Sequence, residues 1–170
     1  MIELLILYEL NKKVLTMYGI SKEIHTTFSV LTTPSFGTIK PALTRMQKSG
    51  FVKSQKTMSK GGRPSVYYSI TNEGREEFSR LLLSELPENP VHFFTEARIR
   101  LLCADFLNIS EQIELIKLLK SKSEYFMFAT KNLIEAKENN LYAKMVFDNM
   151  SCEYKNFISL LEGLERACKN

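Results

Sequence analysis

Seven cationic side chains, Lys40, Arg45, Lys48, Lys53, Lys56, Lys60 and Arg63, fall between Ile24 and Asn72, a stretch that contains no Asp or Glu. Ammonium and guanidinium groups spaced along a surface without carboxylates suit the phosphates of a nucleic acid, which they attract without competition from neighbouring acids. A solvated face that happens to lack acids is the bland alternative. Random clustering, however, would not coincide with a change of local structure, and here the cations straddle one.

The segment SFGTIKPALTRMQKSG, Ser35 to Gly50, reads as a helix. Phe36, Ile39, Leu43 and Met46 recur at three- and four-residue intervals and make one apolar stripe. Ser35, Thr38, Lys40, Thr44, Arg45 and Lys48 are left on the other faces as candidates for phosphate and base-edge contacts. Pro41 fits the first turn if Thr38 is the N-cap; a start at Ser35 puts it inside the helix, with a local kink. Gly50 stands where a left-handed cap ends the helix.

Beyond Gly50, FVKSQKT and VYYSIT are rich in strand formers, and the MSKGGRPS connection between them holds the glycines a projecting loop requires. Lys60 and Arg63 tip that loop and are placed to reach a minor groove, while Lys53 and Lys56 lie alongside for backbone contacts. Gly61, Gly62 and Pro64 shape the turn. Tyr67 and Tyr68 alternate across the strand, so one packs inward and the other supports the wing or meets DNA. A helix followed by a basic hairpin outlines a winged-helix module.

Other elements position these two. Ile2 to Asn11 form an apolar first helix that several neighbours must cover; VLTMYG leads to a second with Ser21 as N-cap and an Ile24, Phe28, Leu31 face. TNEGREEF opens a fourth helix capped by Thr71 or Asn72. PENP marks the expected boundary between domains at residues 1–86 and 87–170. The rest is helical: about Phe94 to Leu107, ending at Asn108; Ser110 to about Glu138; and a last helix. In that helix Tyr142, Val146, Met150, Tyr154, Phe157, Leu161, Leu164 and Cys168 follow at intervals of three or four, a seam longer than one small domain needs. Aromatics of this half, such as Phe93, Phe94 and Phe126, read first as core or dimer interface and second as the lining of a ligand cavity.

Charge divides with the chain. Residues 1–86 hold twelve Lys/Arg against seven Asp/Glu, and residues 87–170 eleven against twelve, which gives +5 and −1. The partner-binding charge therefore lies in the first half. Three cysteines without CxxC or Cys/His spacing argue against zinc, another metal or a disulfide framework, and point to a cytoplasmic protein. MIELLILYEL carries Glu3 and Glu9 and is too short to span a bilayer, so no membrane partner is expected. No nucleophile stands beside a base in a recognisable motif and no phosphate-binding glycine loop occurs, so neither catalysis nor a cofactor is expected.

The fold class expected is mainly α with a small β-hairpin wing: a winged helix-turn-helix domain plus a C-terminal α-helical dimerisation domain. The motifs resemble those of the PadR family of transcriptional regulators: Met17-Tyr18-Gly19 at the second helix, Gly37-Thr38-Ile39-Lys40-Pro41-Ala42-Leu43-Thr44-Arg45-Met46 with Gly50 after it, and Gly61-Gly62-Arg63-Pro64-Ser65-Val66-Tyr67-Tyr68-Ser69-Ile70-Thr71 with Gly74. Lys40 departs from the tyrosine common in that helix, and Ile20 from the tyrosine that often follows the first glycine. The resemblance implies a homodimer joined through C-terminal helices, repression of nearby genes by binding double-stranded DNA and, in many members, release by a small molecule, here apolar or aromatic. A winged-helix protein–protein adaptor is the alternative, and it has less reason to lack acids along both helix and wing.

Overall fold

The computed structural model describes residues 1–58, 62, 64–136 and 140–169. The chain forms two compact units, Met1–Ser84 with Arg98–Phe106, and Glu85–Ala97 with Leu107–Asn170.

The first unit is built on α1 (Ile2–Lys12), whose residues Leu4 to Leu10 are all buried. An all-round apolar helix needs neighbours on every side. α2 (Met17–Phe28), α3 (Phe36–Lys48), α4 (Asn72–Leu82) and strand β3 (Pro64–Ile70) supply them. Edge-to-face contacts of Tyr8 with Phe28 and Phe106 add to this core.

The hairpin is β2 (Val52–Met58) paired antiparallel with β3, from Val52 opposite Ile70 to Met58 opposite Pro64. A third strand, β1 (Leu15–Thr16), pairs with the other edge of β3, opposite Tyr68 and Tyr67. β3 is therefore central, and Tyr67 and Tyr68, on opposite faces of it, are both half-buried. The N-cap of α2 is Thr16, whose Oγ1 accepts from Gly19 N at 3.1 Å; Ser21, the expected cap, lies inside the helix. The hydroxyl five residues earlier captures the first turn.

In the second unit the capping also falls earlier than the sequence pattern indicates. α5 (Pro90–Cys103) starts at Pro90, with Asn89 Oδ1 accepting from Val91 N at 2.9 Å. Proline at the first helical position loses no hydrogen bond, so PENP is a helix start rather than only a break. The last residues of α5 and a 3-10 turn over Ala104–Phe106 belong to the first unit. Asn108, expected to stop a helix, caps α6 (Ile109–Ala136) by accepting from Glu111 N at 3.0 Å while Glu111 Oε2 accepts from Asn108 N at 3.0 Å. The expected end of this helix near Glu138 lies outside the described residues.

α7 (Leu141–Lys169) runs antiparallel to α6, as the pairings Gln112 with Cys168, Lys120 with Glu162 and Phe126 with Tyr154 require. Phe93, Phe94, Phe126, Tyr154 and Phe157 form one aromatic core, with Phe94 stacked on Tyr154 at 4.8 Å between centroids. Among the described residues no helix is long and apolar enough to cross a membrane, and no group of His, Cys, Asp and Glu is placed to hold a metal ion.

Candidate nucleic-acid interface

α3 begins after Ser35 rather than at Thr38. Ile39, Ala42, Leu43 and Met46 are buried, whereas Phe36, expected in the stripe, is 46 % exposed and stacks on the ring of Tyr18. Ala42 takes the buried place instead. Pro41 sits inside the helix, where it has no N–H to offer the carbonyl of Gly37. With four apolar residues facing inward, Gly37, Pro41, Thr44 and Lys48 form the opposite row at spacings of four, three and four. The row begins with small or compact residues, so another molecule can approach the backbone of the helix closely.

The helix ends in a Schellman turn. Phe51 N donates to Met46 O at 2.9 Å, Gly50 N donates to Gln47 O at 3.2 Å, and Gly50 has φ of 79°. A left-handed residue is needed there, and glycine meets that need without a Cβ penalty. The chain then enters β2 directly, so this turn sets the angle between helix and hairpin. Thr71 locks the same corner from the far side: its Oγ1 donates to Gly50 O at 2.7 Å and accepts from Gly74 N at 3.0 Å, capping α4. Gln47 Nε2 donates to Ser54 Oγ at 2.8 Å, a second tie between α3 and β2. Gln47 was not among the sequence candidates, because a polar residue near a helix end carries no periodic signal.

The candidate contact residues fall into three groups. Ser35, Thr38, Lys40, Thr44, Lys48, Lys53 and Lys56 are all exposed. Lys40, Lys48, Lys53 and Lys56 make no ion pair among the described residues, so their charges are available to a partner. Ser35 and Thr38 share a hydroxyl–hydroxyl hydrogen bond of 3.3 Å, and Thr44 Oγ1 donates back to Lys40 O at 3.1 Å. Arg45 forms the second group. Its guanidinium donates to Glu3 Oε1 of α1 from Nε at 3.1 Å and from Nη2 at 2.9 Å. The third group, Lys60, Gly61 and Arg63, lies outside the described residues; Gly62, with φ of 72°, and Pro64, at the start of β3, are the described parts of the turn.

The seam of α7 divides. Tyr154, Phe157 and Leu161 are buried within the second unit, Met150 and Leu164 are half-buried, and Tyr142 and Val146 are 82 % and 56 % exposed. Leu141 and Met145 extend the exposed part at 66 % and 62 %. Cys103 is buried, which pushes its thiol pKa well above the usual range and leaves it a small core side chain.

The family model for the transcriptional regulator PadR-like family matches residues 6–80, which span α3, the hairpin and most of α1 and α4. A PadR family transcription regulator from Clostridium difficile R20291 is 33 % identical over 45 % of this chain and 78 % of its own, with a TM-score of 0.41. A PadR-like transcriptional regulator from Bacillus cereus is 29 % identical over 46 % of this chain and 74 % of its own, with a TM-score of 0.41. Bacillus subtilis PadR, solved in complex with operator DNA, is 18 % identical over 98 % of both chains, with a TM-score of 0.47. No curated protein matches the chain. The matched segment holds the helix, the Schellman corner and the hairpin described above, and by that match residues 6–80 belong to the PadR-like family of transcriptional regulators.

Proposed function

We propose that this protein represses transcription in the cytoplasm by binding a pseudo-palindromic operator as a homodimer. In this reading residues 1–86 bind duplex DNA, with α3 in the major groove and the hairpin along the adjacent backbone, and residues 87–170 join the two copies and take up a small apolar or aromatic effector. The observation that carries it is the exposed face of α3 and β2. There Lys40, Lys48, Lys53 and Lys56 stand free of ion pairs, on a stretch from Ile24 to Asn72 without a carboxylate. Four exposed lysines without ion pairs, on a helix and the strand that follows it, gain from releasing the counterions of a polyanion. The exposed Tyr142, Met145 and Val146 of α7 give the second copy an apolar surface to cover.

Selection of bound duplexes from a random library with the purified protein tests the reading. Recovery of one motif with dyad symmetry, its half-sites about one helical turn apart, supports a dimer presenting two recognition helices. Recovery of no enriched sequence would instead favour a winged-helix adaptor that binds protein.

A further inference from the structure

Two exposed side chains bracket the corner between α3 and the hairpin: Gln47 in the last turn of the helix and Ser54 on β2, with Gln47 Nε2 donating to Ser54 Oγ at 2.8 Å. Lys40, Thr44 and Gln47 follow at intervals of four and three along the exposed side of α3, so Gln47 closes the row that Lys40 opens. Val52, Ser54 and Lys56 share one face of β2, on which Val52 is buried and the other two are exposed. The hydrogen bond therefore ties the helix row of Lys40 to the strand face of Lys56. Ser54 is a firm anchor, since it stands opposite Tyr68 of β3, which in turn stands opposite Leu15 of β1. On its inner side the corner is already held by Thr71, which bonds both Gly50 O and Gly74 N, so the outer tie is not what keeps the unit folded.

We propose that Gln47 and Ser54 are positioning residues for sequence discrimination: their hydrogen bond holds α3 and β2 at one spacing, so that Lys40 and Lys56 meet the duplex together. This role rests on the DNA-binding reading above and adds to it a pair of uncharged residues outside the cationic set. A base-edge contact tolerates little displacement, whereas a lysine finds a phosphate from many positions along a uniform backbone. Loosening the tie therefore weakens the selected duplex more than a scrambled one. The worth of one neutral hydrogen bond limits the effect to a roughly 2- to 10-fold loss of preference per half-site.

The test compares Ser54→Val with Ser54→Thr, two β-branched replacements that suit a strand and differ by the hydroxyl, alongside Gln47→Met and the Gln47→Met, Ser54→Val double variant. Each is titrated with a selected and a scrambled duplex, and its thermal midpoint is followed by circular dichroism. Ser54→Thr should keep the wild-type preference, whereas Ser54→Val and Gln47→Met should each lose roughly 2- to 10-fold of it per half-site, with midpoints near that of the wild type. The double variant should lose no more than either single one, because both break the same bond. An unchanged preference in Ser54→Val, or an equal loss in Ser54→Thr, overturns the role of the tie and leaves the DNA-binding reading intact. Additive losses overturn it too, since each side chain would then meet DNA on its own, as do equal losses on both duplexes with a lowered midpoint. A wild type that binds neither duplex at low salt overturns the DNA-binding reading as well.

Discussion

Arg45 on α3 and Glu3 on α1 are joined by two hydrogen bonds to a single carboxylate oxygen, at 3.1 and 2.9 Å. The arginine most central to the carboxylate-free stretch is thus neutralised by an acid more than forty residues earlier, outside that stretch. Arg45 is 60 % exposed and Glu3 31 %, so the pair stabilises the fold by no more than about 1 kcal/mol. Its larger effect is on charge. Glu3→Gln should leave the denaturation midpoint nearly unchanged while tightening binding to every duplex and steepening the salt slope by roughly 1. Equal affinity and slope for the variant would mean that Arg45 faces no phosphate.

The corner between α3 and the hairpin should be the most sensitive point of the first unit. A Cβ on Gly74 would stand 2.2 Å from Phe51 O and 2.8 Å from Ile70 Cγ1, and the first of these is backbone that cannot swing aside. Gly74→Ala should cost about 1–3 kcal/mol or more. Thr71→Ala removes the cap of α4 and the bond to Gly50 O, for about 1–2 kcal/mol. Urea titrations followed by circular dichroism measure both, and the prediction fails if Gly74→Ala is as stable as the wild type.

On α3 and β2, two lysines should behave differently. Lys40 is exposed on the helix and Lys56 on the strand. If Lys40 reaches a base edge, Lys40→Ala relaxes the preference at one position per half-site by about 1–3 kcal/mol. Lys56→Ala should weaken selected and scrambled duplexes alike. Parallel losses for Lys40→Ala on both duplexes would reassign Lys40 to the phosphates.

The proposed dimerisation is best tested at the exposed residues of α7. Charged replacements at Leu161, which is fully buried in the second unit, would unfold that unit and reveal nothing about association. Tyr142→Glu with Val146→Glu, both on the exposed face, should give a folded monomer with weakened operator binding. Sedimentation decides: an intact dimer of the folded double variant places the interface elsewhere.

The elements that local chemistry specifies were legible in the sequence. Gly50 as a left-handed stop, Thr71 as one of two possible caps and the basic hairpin each follow from a residue whose own conformational preference sets the structure. What escaped depends on distant partners. β1 is two residues long and exists only because β3 offers an edge to Leu15 and Thr16. Phe36 continues the apolar spacing of α3 yet lies at its first turn, half exposed, and stacks on Tyr18 instead of joining the core. The α7 pattern shows that a seam is covered without showing by what: Tyr154, Phe157 and Leu161 are covered within the same unit. Of the candidate interface, the exposed lysines could be named from charge alone, but the capture of Arg45 by Glu3 required the fold.

Whether the basic face of α3 and the hairpin binds duplex DNA and discriminates its sequence is decided by one titration. The purified protein is measured against its selected duplex and a scrambled one from low to physiological salt. Log K should fall linearly with log salt on both, with a constant preference of at least roughly 10³ for the selected duplex. Failure to bind either duplex at low salt, or binding indifferent to salt, would contradict DNA recognition by this face.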